Sequence, residues 1–257
     1  MALVPVDEAL ERLLEGAAPL AGESVPLLEA MDRVLAEPVV ALRTQPPFNA
    51  SAMDGYAVRA ADVASVPSKL SVIGMAPAGR GFDGTVGKGQ AVRVFTGAPL
   101  PAGADTIVIQ ENVRALGDGA IEVIEPTPVE RNIRRVGLDF SKGDTLLQKG
   151  RLLDPAALSL TASGNHPNVT VVRRPLVAII ATGDELLPPG SELGPDQIIS
   201  SNAYGVAAAA KSVGARVLDL GIAADRKEAI AALVREAVAA EANVIVTLGG
   251  ASVGDHD

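Results

Sequence analysis

Three short apolar runs in the second half of the chain decide the fold: PLVAIIA (175–181), ARVLDLGIA (215–223) and NVIVTLGG (243–250). Two longer segments with helical apolar spacing lie between them, NAYGVAAAAKSVG (202–214) and RKEAIAALVREAVAAE (226–241). Buried strands that alternate with helices are typical of a parallel sheet covered on both faces. Residues 175–257 are therefore predicted to form part of a doubly wound α/β domain.

The first half of the chain has a different residue pattern. Short β-rich runs such as YAVRA (56–60) and QAVRVFTG (90–97) alternate with Gly/Pro turns over residues 44–137, which predicts an inserted β-rich module. Residues 6–35 are predicted to be a helix followed by a short amphipathic segment, which Pro38 ends. A later helix is predicted at DPAALSLTASG, with Asp154 as its N-cap. The fold class is thus multidomain, α+β followed by α/β.

Composition narrows the classes of function. The net charge of −9 disfavours non-specific binding to nucleic acid, and an aromatic content of 2% disfavours base stacking. Because the chain has no cysteine, it has no disulfide and no thiolate metal site. No apolar stretch approaches the roughly 18 residues of a membrane span. We therefore expect a cytoplasmic protein without a membrane or nucleic-acid partner.

The predicted strands end in polar loops, which should meet at one edge of the sheet. Ligands bind outside the carboxyl ends of parallel strands, so these loops predict a binding site. Glycines there allow backbone N–H groups to approach an anion, and the start of the intervening helix is a second anion position. The candidate binding residues are Thr182, Gly183, Asp184, Ser201, Asn202, Gly249, Gly250, Ser252 and Gly254.

The same edge is rich in carboxylates. It carries Asp184, Glu185, Asp225, Asp255 and Asp257. Carboxylates repel a phosphate unless a divalent cation lies between them, and Mg²⁺ binds one or two carboxylates together with phosphate oxygens. The sequence therefore predicts a Mg²⁺ site at this edge.

Plainer interpretations of these loops remain open. Thr182 and Asp184 can cap the next turn, and Asp225 can cap the helix that begins at Arg226. GGASVG (249–254) can be a tight turn. By pattern alone, Asp54 in an Asp-Gly pair and Thr96 in TGAP are ordinary turn residues.

Six motifs together resemble one known family. They are PPFNASAMDGYAV (46–58), FTGAPLPAGADTIVIQE (95–111), NIRRVGLDFSKGD (132–144), ATGDEL (181–186), IISSNAYGV (198–206) and GGASVGDHD (249–257). In this order they are similar to the signatures of the molybdopterin molybdenumtransferases, the MoeA and gephyrin E-domain family. The resemblance covers essentially the whole chain.

The resemblance implies an elongated homodimer that inserts molybdate into adenylyl-molybdopterin and releases AMP, with Mg²⁺. It implies functional roles for Asp54, Thr96, Asp139, Glu185, Asp225 and Asp257. Of these, Glu185, Asp225 and Asp257 are the expected metal ligands.

The resemblance also implies a domain plan. Residues 1–43 and 138–174 would form one discontinuous domain, with residues 44–137 inserted into it and residues 175–257 forming the molybdopterin-binding domain. Family members continue with more of the sheet domain and a final β-barrel domain. We therefore expect a C-terminally truncated chain that is inactive by itself.

Two other functions are compatible with parts of the sequence. One is a non-catalytic scaffold of the same family, but nothing basic, aromatic or repetitive in the sequence indicates one. The other is molybdopterin adenylyltransferase, a related single-domain fold that shares the GGxSxG loop. The β-rich module with MDGYA argues against that enzyme, which lacks it.

Overall fold

The computed structural model describes residues 4–250. The helices in this part of the chain are α1 (Val6–Leu14), α2 (Pro155–Ser163), α3 (Asn202–Ser212) and α4 (Lys227–Ala239). The strands are β1 (Gly22–Pro26), β2 (Val39–Val40), β3 (Ala50–Ser51), β4 (Gly55–Val58), β5 (Ser68–Ala76), β6 (Gln90–Val94), β7 (Thr106–Ile109), β8 (Val113–Gly117), β9 (Ala120–Val123), β10 (Ile133–Arg134), β11 (Thr145–Leu147), β12 (Asn168–Val172), β13 (Leu176–Thr182), β14 (Leu186–Leu187), β15 (Ile198–Ile199), β16 (Arg216–Ala223) and β17 (Val244–Leu248). Single 3₁₀ turns lie at Leu27–Glu29, Ala60–Asp62 and Gln110–Asn112.

These elements group into two compact units. The first contains the chain up to Glu37, Lys149–Pro155 and the chain from Asn168 onward. The second contains Pro38–Gln148 and Ala156–Pro167. The division into three domains that the resemblance implied stays a prediction. Within residues 4–250, no helix combines the length and the apolar content needed to cross a membrane.

The doubly wound fold predicted for the second half is confirmed. β13 lies between β16 and β17 and pairs with both in parallel. The middle strand is almost entirely buried, with Ile179 and Ile180 at 0% exposure. The parallel pairing brings the carboxyl ends of all three strands to one edge.

The two helices of this sheet cover it through apolar side chains. Val177 and Ile179 of β13 pack with Ala203 and Val206 of α3. α4 packs against β13 and β16, where Ala237 is fully buried. Because βαβ crossovers are almost always right-handed and the strand order reverses at β13, α3 and α4 are expected to cover opposite faces.

The prediction for residues 6–35, a helix followed by a short amphipathic segment, is only partly right. α1 ends at Leu14, and residues 22–26 form β1, which pairs antiparallel with β12. Pro26 cannot donate the N–H that a helix interior needs, so a helix is disfavoured here. Leu28, in the 3₁₀ turn that follows β1 directly, is 98% exposed, so this segment has no continuous buried apolar side. Pairing with a strand more than 140 residues away thus outweighed the local pattern.

The predicted β-rich module is confirmed as a six-stranded sheet. Its order is β7-β4-β6-β5-β9-β8, and all neighbours are antiparallel except β5 and β6. Alternating apolar residues fill both faces. One face contains Val92, Val94 and Ile107, and the other contains Val108 and Ile121.

Candidate functional site

The β-rich sheet brings Asp54 and Thr96 together. Gly55 of β4 pairs with Val94 of β6, so the residue before β4 and the loop after β6 leave the sheet at the same end. Asp54 Oδ1 accepts one hydrogen bond from the Thr96 backbone N–H and one from Thr96 Oγ1, each 2.8 Å long. The Thr96 hydroxyl keeps its lone pairs for accepting a further bond.

Gly55 fixes the position of Asp54 by close backbone packing. A Cβ at Gly55 would lie 2.1 Å from the Val108 carbonyl oxygen, so only glycine fits. On the same side, the Gln110 N–H donates to the Asp54 carbonyl at 3.1 Å. Gly55 is therefore required by packing, and Asp54, which directly precedes it, is half-buried at the end of β4.

The carboxylate of Asp54 is held in its charged form. The backbone hydrogen bond from Thr96 lowers the pKa of Asp54, and the side-chain hydrogen bond from Thr96 lowers it further. The charge of Arg93 also lowers this pKa, whereas desolvation opposes the shift. The pair is thus a charged acceptor beside a hydroxyl, and it is half-exposed at the end of the sheet.

Sequence reasoning missed Arg93. It lies in β6 between the buried residues Val92 and Val94, and its guanidinium lies over the rings of Tyr56 and Phe95. A single arginine inside an apolar strand that leads directly to Thr96 was the available signal.

Asp139 lies in the same unit but forms a separate contact. Its two carboxylate oxygens are each 3.2 Å from Arg134 Nη2. In the described chain, no hydrogen bond or ion pair connects Asp139 to Asp54 or Thr96. The functional role that the resemblance implied for Asp139 stays a prediction.

The other predicted site lies at the carboxyl edge of the three-stranded sheet. Thr182 ends β13, Asp225 lies two residues after β16, and Gly249 follows β17 directly. Thr182 Oγ1 donates to the Leu248 carbonyl at 3.2 Å, which ties the first strand to the third. The three loops therefore begin side by side, as the sequence predicted.

Asp184 and Asp225 link two of these loops. The Asp184 N–H donates to Asp225 Oδ2 at 3.3 Å, and the Asp225 N–H donates to Asp184 Oδ1 at 3.1 Å. Arg226 occupies the N-cap position of α4, where no side-chain capping bond is made. The interpretation of Asp225 as a cap of that helix is therefore wrong.

Two glycines of this edge are required by geometry. Gly249 has φ of +117°, and a Cβ there would lie 2.3 Å from Thr182 Oγ1. Gly183 has φ of +151°, and its Cβ would lie 2.6 Å from Glu185 Oε2. The carboxylate of Glu185 therefore folds back over the Gly183 backbone, into the loop that also holds Asp184.

The remaining predicted binding residues fall into two groups. Ser201 occupies the N-cap position of α3 without a side-chain capping bond, and Asn202 is the first helical residue; both are exposed. Gly250 lies at the edge of the cleft described below. Ser252, Gly254 and Asp257 lie outside the described residues, as does Asp255.

A cleft of about 790 Å³ opens beside this edge. Its walls include three residues named from sequence, Thr182, Asp225 and Gly250. They also include three basic residues at the start and on one side of α4, namely Arg226, Lys227 and Arg235, which sequence reasoning did not single out. The volume is in the range of small-molecule sites, and the cations supply positive charge next to the acidic edge.

Only some of the carboxylates predicted to bind a hard divalent cation lie in the described part of the chain. No group of three or more His, Asp or Glu side chains is arranged for a metal within residues 4–250. Of the three predicted ligands, Glu185 and Asp225 lie in the described part of the chain, and Asp257 lies outside it. Two carboxylates completed by substrate phosphate oxygens are a common Mg²⁺ environment, so the residues present fit that ion.

Comparison with family models and known proteins gives a consistent result. Residues 4–164 match the MoeA N-terminal region (domain I and II), and residues 178–257 match a probable molybdopterin binding domain. The molybdopterin molybdenumtransferase of Nostoc sp. is 40% identical over 239 residues, covering 91% of this chain and 54% of that protein. The protein of the same name from Haemophilus influenzae is 37% identical over 256 residues, covering 99% and 63%. The chain thus spans between half and two thirds of the length of these relatives.

Solved structures agree with the sequence matches. A molybdopterin biosynthesis MoeA protein from Pyrococcus horikoshii OT3 superposes with a TM-score of 0.88 at 33% identity, over 96% of this chain and 66% of that one. A molybdenum cofactor biosynthesis protein from Pyrococcus furiosus shares the fold at 19% identity, with a TM-score of 0.51.

Proposed function

The chain belongs to the MoeA family, and from that premise we propose that it takes part in molybdenum cofactor biosynthesis as a molybdopterin molybdenumtransferase. The proposed reaction converts adenylyl-molybdopterin and molybdate into molybdenum-molybdopterin and AMP. The proposal concerns the complete gene product.

One observation carries this proposal. Asp54 and Thr96 belong to two motifs that are ordinary turns by pattern, yet the carboxylate of Asp54 accepts both hydrogen bonds that Thr96 donates. A turn needs no such convergence from positions more than 40 residues apart. The pair provides a charged acceptor and a hydroxyl with free lone pairs, which together can orient a hydrogen-bond donor or a cation on the substrate.

The sheet edge is the proposed binding site for the substrate phosphates. Glu185 and Asp225 would hold Mg²⁺, which neutralises phosphate charge when it is bound. The basic side chains Arg226, Lys227 and Arg235 would face the anionic groups directly from the cleft. Gly249 and Gly250 would allow the backbone to approach the ligand closely.

A homodimer and a cytoplasmic location belong to the same proposal. The apolar residues Val6, Leu10, Leu13 and Leu14 of α1 are all more than half exposed, and this helix buries no residue. An amphipathic helix with an uncovered apolar side supports association with a second copy.

The runner-up, molybdopterin adenylyltransferase, would make adenylyl-molybdopterin rather than consume it. The match of residues 4–164 to the MoeA N-terminal region favours the molybdenum-inserting reaction. No observation on the described residues specifically favours the scaffold role.

The proposal is tested by following AMP by chromatography after mixing the complete gene product with adenylyl-molybdopterin and Mg²⁺. We expect AMP release that depends on molybdate. The control omits molybdate. No release with molybdate, or equal release without it, would contradict the proposed reaction.

A further inference from the structure

Arg93 forms an unusually dense set of contacts for an arginine in the middle of a strand. Its guanidinium carbon lies 4.9 Å from the centre of the Tyr56 ring and 5.2 Å from the centre of the Phe95 ring. Its Nη2 donates to Gln110 Oε1 at 2.6 Å. Two cation–π contacts and a short hydrogen bond hold the guanidinium in one place.

Each of these contacts reaches a segment that holds Asp54 or Thr96. Tyr56 lies two residues after Asp54 and is the cross-strand partner of Arg93 in the sheet. Phe95 directly precedes Thr96. The backbone N–H of Gln110 donates to the Asp54 carbonyl oxygen at 3.1 Å.

We propose that Arg93 is a positioning residue for the reaction assigned above, because it fastens together the three segments that hold the Asp54 carboxylate against Thr96. The expected effect on catalysis rests on the proposed function, whereas the positioning of Asp54 against Thr96 does not. Arg93 acts through Asp54 and need not touch the substrate.

The charges around the pair are consistent with this role. Hydrogen bonds from Thr96 are the main cause of the lowered pKa of Asp54, and Arg93 is the charged side chain that adds to them. From β4 the neighbouring titratable group is Tyr56. From the turn at Gln110–Asn112, Glu111 Oε1 accepts a hydrogen bond from Gln110 Nε2 at 3.4 Å.

A simpler explanation is that Arg93 only stabilises the sheet by covering two aromatic rings. The two explanations differ in what happens at the Thr96 amide when Arg93 changes. If Arg93 only covers rings, its loss lowers the melting temperature and removes its charge from Asp54, but it leaves the Thr96 amide as it was. If it positions the pair, the Thr96 amide responds as well, even when the charge is kept as lysine.

The test uses Arg93→Gln, Arg93→Lys and the control Arg114→Gln. Arg114 lies on β8, at the far end of the same sheet from β4, and its partner is Glu122. In the 257-residue chain, NMR follows the titration of the Asp54 carboxyl carbon, assigned with Asp54→Asn, and the chemical shift of the Thr96 amide. In the complete gene product, kcat and KM of AMP release are measured.

We expect Arg93→Gln to raise the pKa of Asp54, to shift the Thr96 amide and to lower kcat about 10- to 100-fold with little change in KM, as small misplacements of catalytic groups do. Arg93→Lys keeps the charge without the planar contacts, so the pKa should stay low while the Thr96 amide shifts and kcat falls. Arg114→Gln should change none of these quantities.

An unchanged Thr96 amide in Arg93→Gln would overturn the inference, even if the melting temperature fell and the Asp54 pKa rose with the lost charge. If Arg93→Gln does not fold, the chemical shift of the Thr96 amide in Arg93→Lys decides, and an unchanged shift would overturn the inference. If the wild-type protein released no AMP, the proposed function would fail, while the NMR measurements would still decide whether Arg93 positions the pair.

Discussion

Asp184 and Asp225 each accept a hydrogen bond from the backbone amide of the other, at 3.1 and 3.3 Å. The two loops that follow β13 and β16 are thereby fixed to each other at the edge of the sheet. The arrangement also holds two carboxylates close together, and their repulsion is reduced when a cation binds.

This exchange of hydrogen bonds predicts a difference between amide and alanine variants. Asp184→Asn keeps an oxygen acceptor for the Asp225 amide, so we expect its free energy of unfolding to stay near the wild-type value. Asp184→Ala removes the acceptor and should lower it by about 0.5–1.5 kcal/mol, the usual net contribution of a hydrogen bond. Urea unfolding measures both values. Asp196→Ala is the control, since this exposed aspartate makes no hydrogen bond within the described residues. Equal losses of unfolding free energy in Asp184→Ala and Asp196→Ala would contradict the stabilising role given to the Asp184–Asp225 hydrogen bonds.

The second prediction concerns the divalent cation. Because carboxylates crowd the proposed phosphate site, adenylyl-molybdopterin should bind more tightly with Mg²⁺ than with EDTA in a calorimetric titration. Asp225→Asn should remove most of this difference, whereas Asp196→Asn should keep it. Equal affinities with Mg²⁺ and EDTA for the wild-type protein would remove the metal from the account.

The third prediction concerns the backbone contact that holds Asp54 in place. A methyl group at Gly55 would lie 2.1 Å from the Val108 carbonyl oxygen. Gly55→Ala should therefore cost about 1–3 kcal/mol of unfolding free energy, the usual range for overpacking. Gly81→Ala is the matched control, because a Cβ at Gly81 meets nothing within 4 Å. A Gly55→Ala protein as stable as the Gly81→Ala protein would show that β4 can move away from β7 without penalty.

The fourth prediction follows from the lowered pKa of Asp54. A carboxyl with a lowered folded-state pKa stabilises the fold above its unfolded pKa of about 3.9, and this contribution is lost as the pH falls through the lower folded value. Thr96→Val removes the side-chain hydrogen bond, so the pKa of Asp54 should rise toward its ordinary value. Thr96→Ser keeps the hydroxyl and should leave the pKa low. NMR titration of the Asp54 carboxyl checks this, and identical titrations in the valine and serine variants would exclude the Thr96 hydroxyl as a cause.

The sequence was sufficient to predict the α/β sheet and its polar edge. Apolar runs separated by helices predict parallel strands, whose carboxyl ends meet at one edge, and the position of Thr182, Asp225 and Gly249 there follows from this. The strand order, with β13 in the middle, came only from the structure. The β-rich module was likewise predictable as a class from its short runs and its Gly/Pro turns.

Structural features that depend on pairing between segments far apart in the sequence could not be predicted from local patterns. Residues 22–26 (GESVP) have no apolar pattern of their own, and they form a strand that pairs with β12, more than 140 residues away. The contact between Asp54 and Thr96 depends on the register of β4 against β6, which no local pattern specifies. The contacts of Arg93 could not be predicted for the same reason, because its partners Tyr56 and Gln110 lie on other segments.

The most direct test of the account is AMP release by the complete gene product and its Asp54→Asn variant. Asparagine keeps the size and one acceptor but removes the charge that Thr96 and Arg93 stabilise. We predict a loss of about 100-fold or more in kcat, in the range known for general acid–base groups, with only a small fall in the melting temperature as the stabilised charge is lost. Asp83→Asn, in an exposed loop of the same unit, should retain full activity. Release of AMP by Asp54→Asn at the wild-type rate would contradict the central claim.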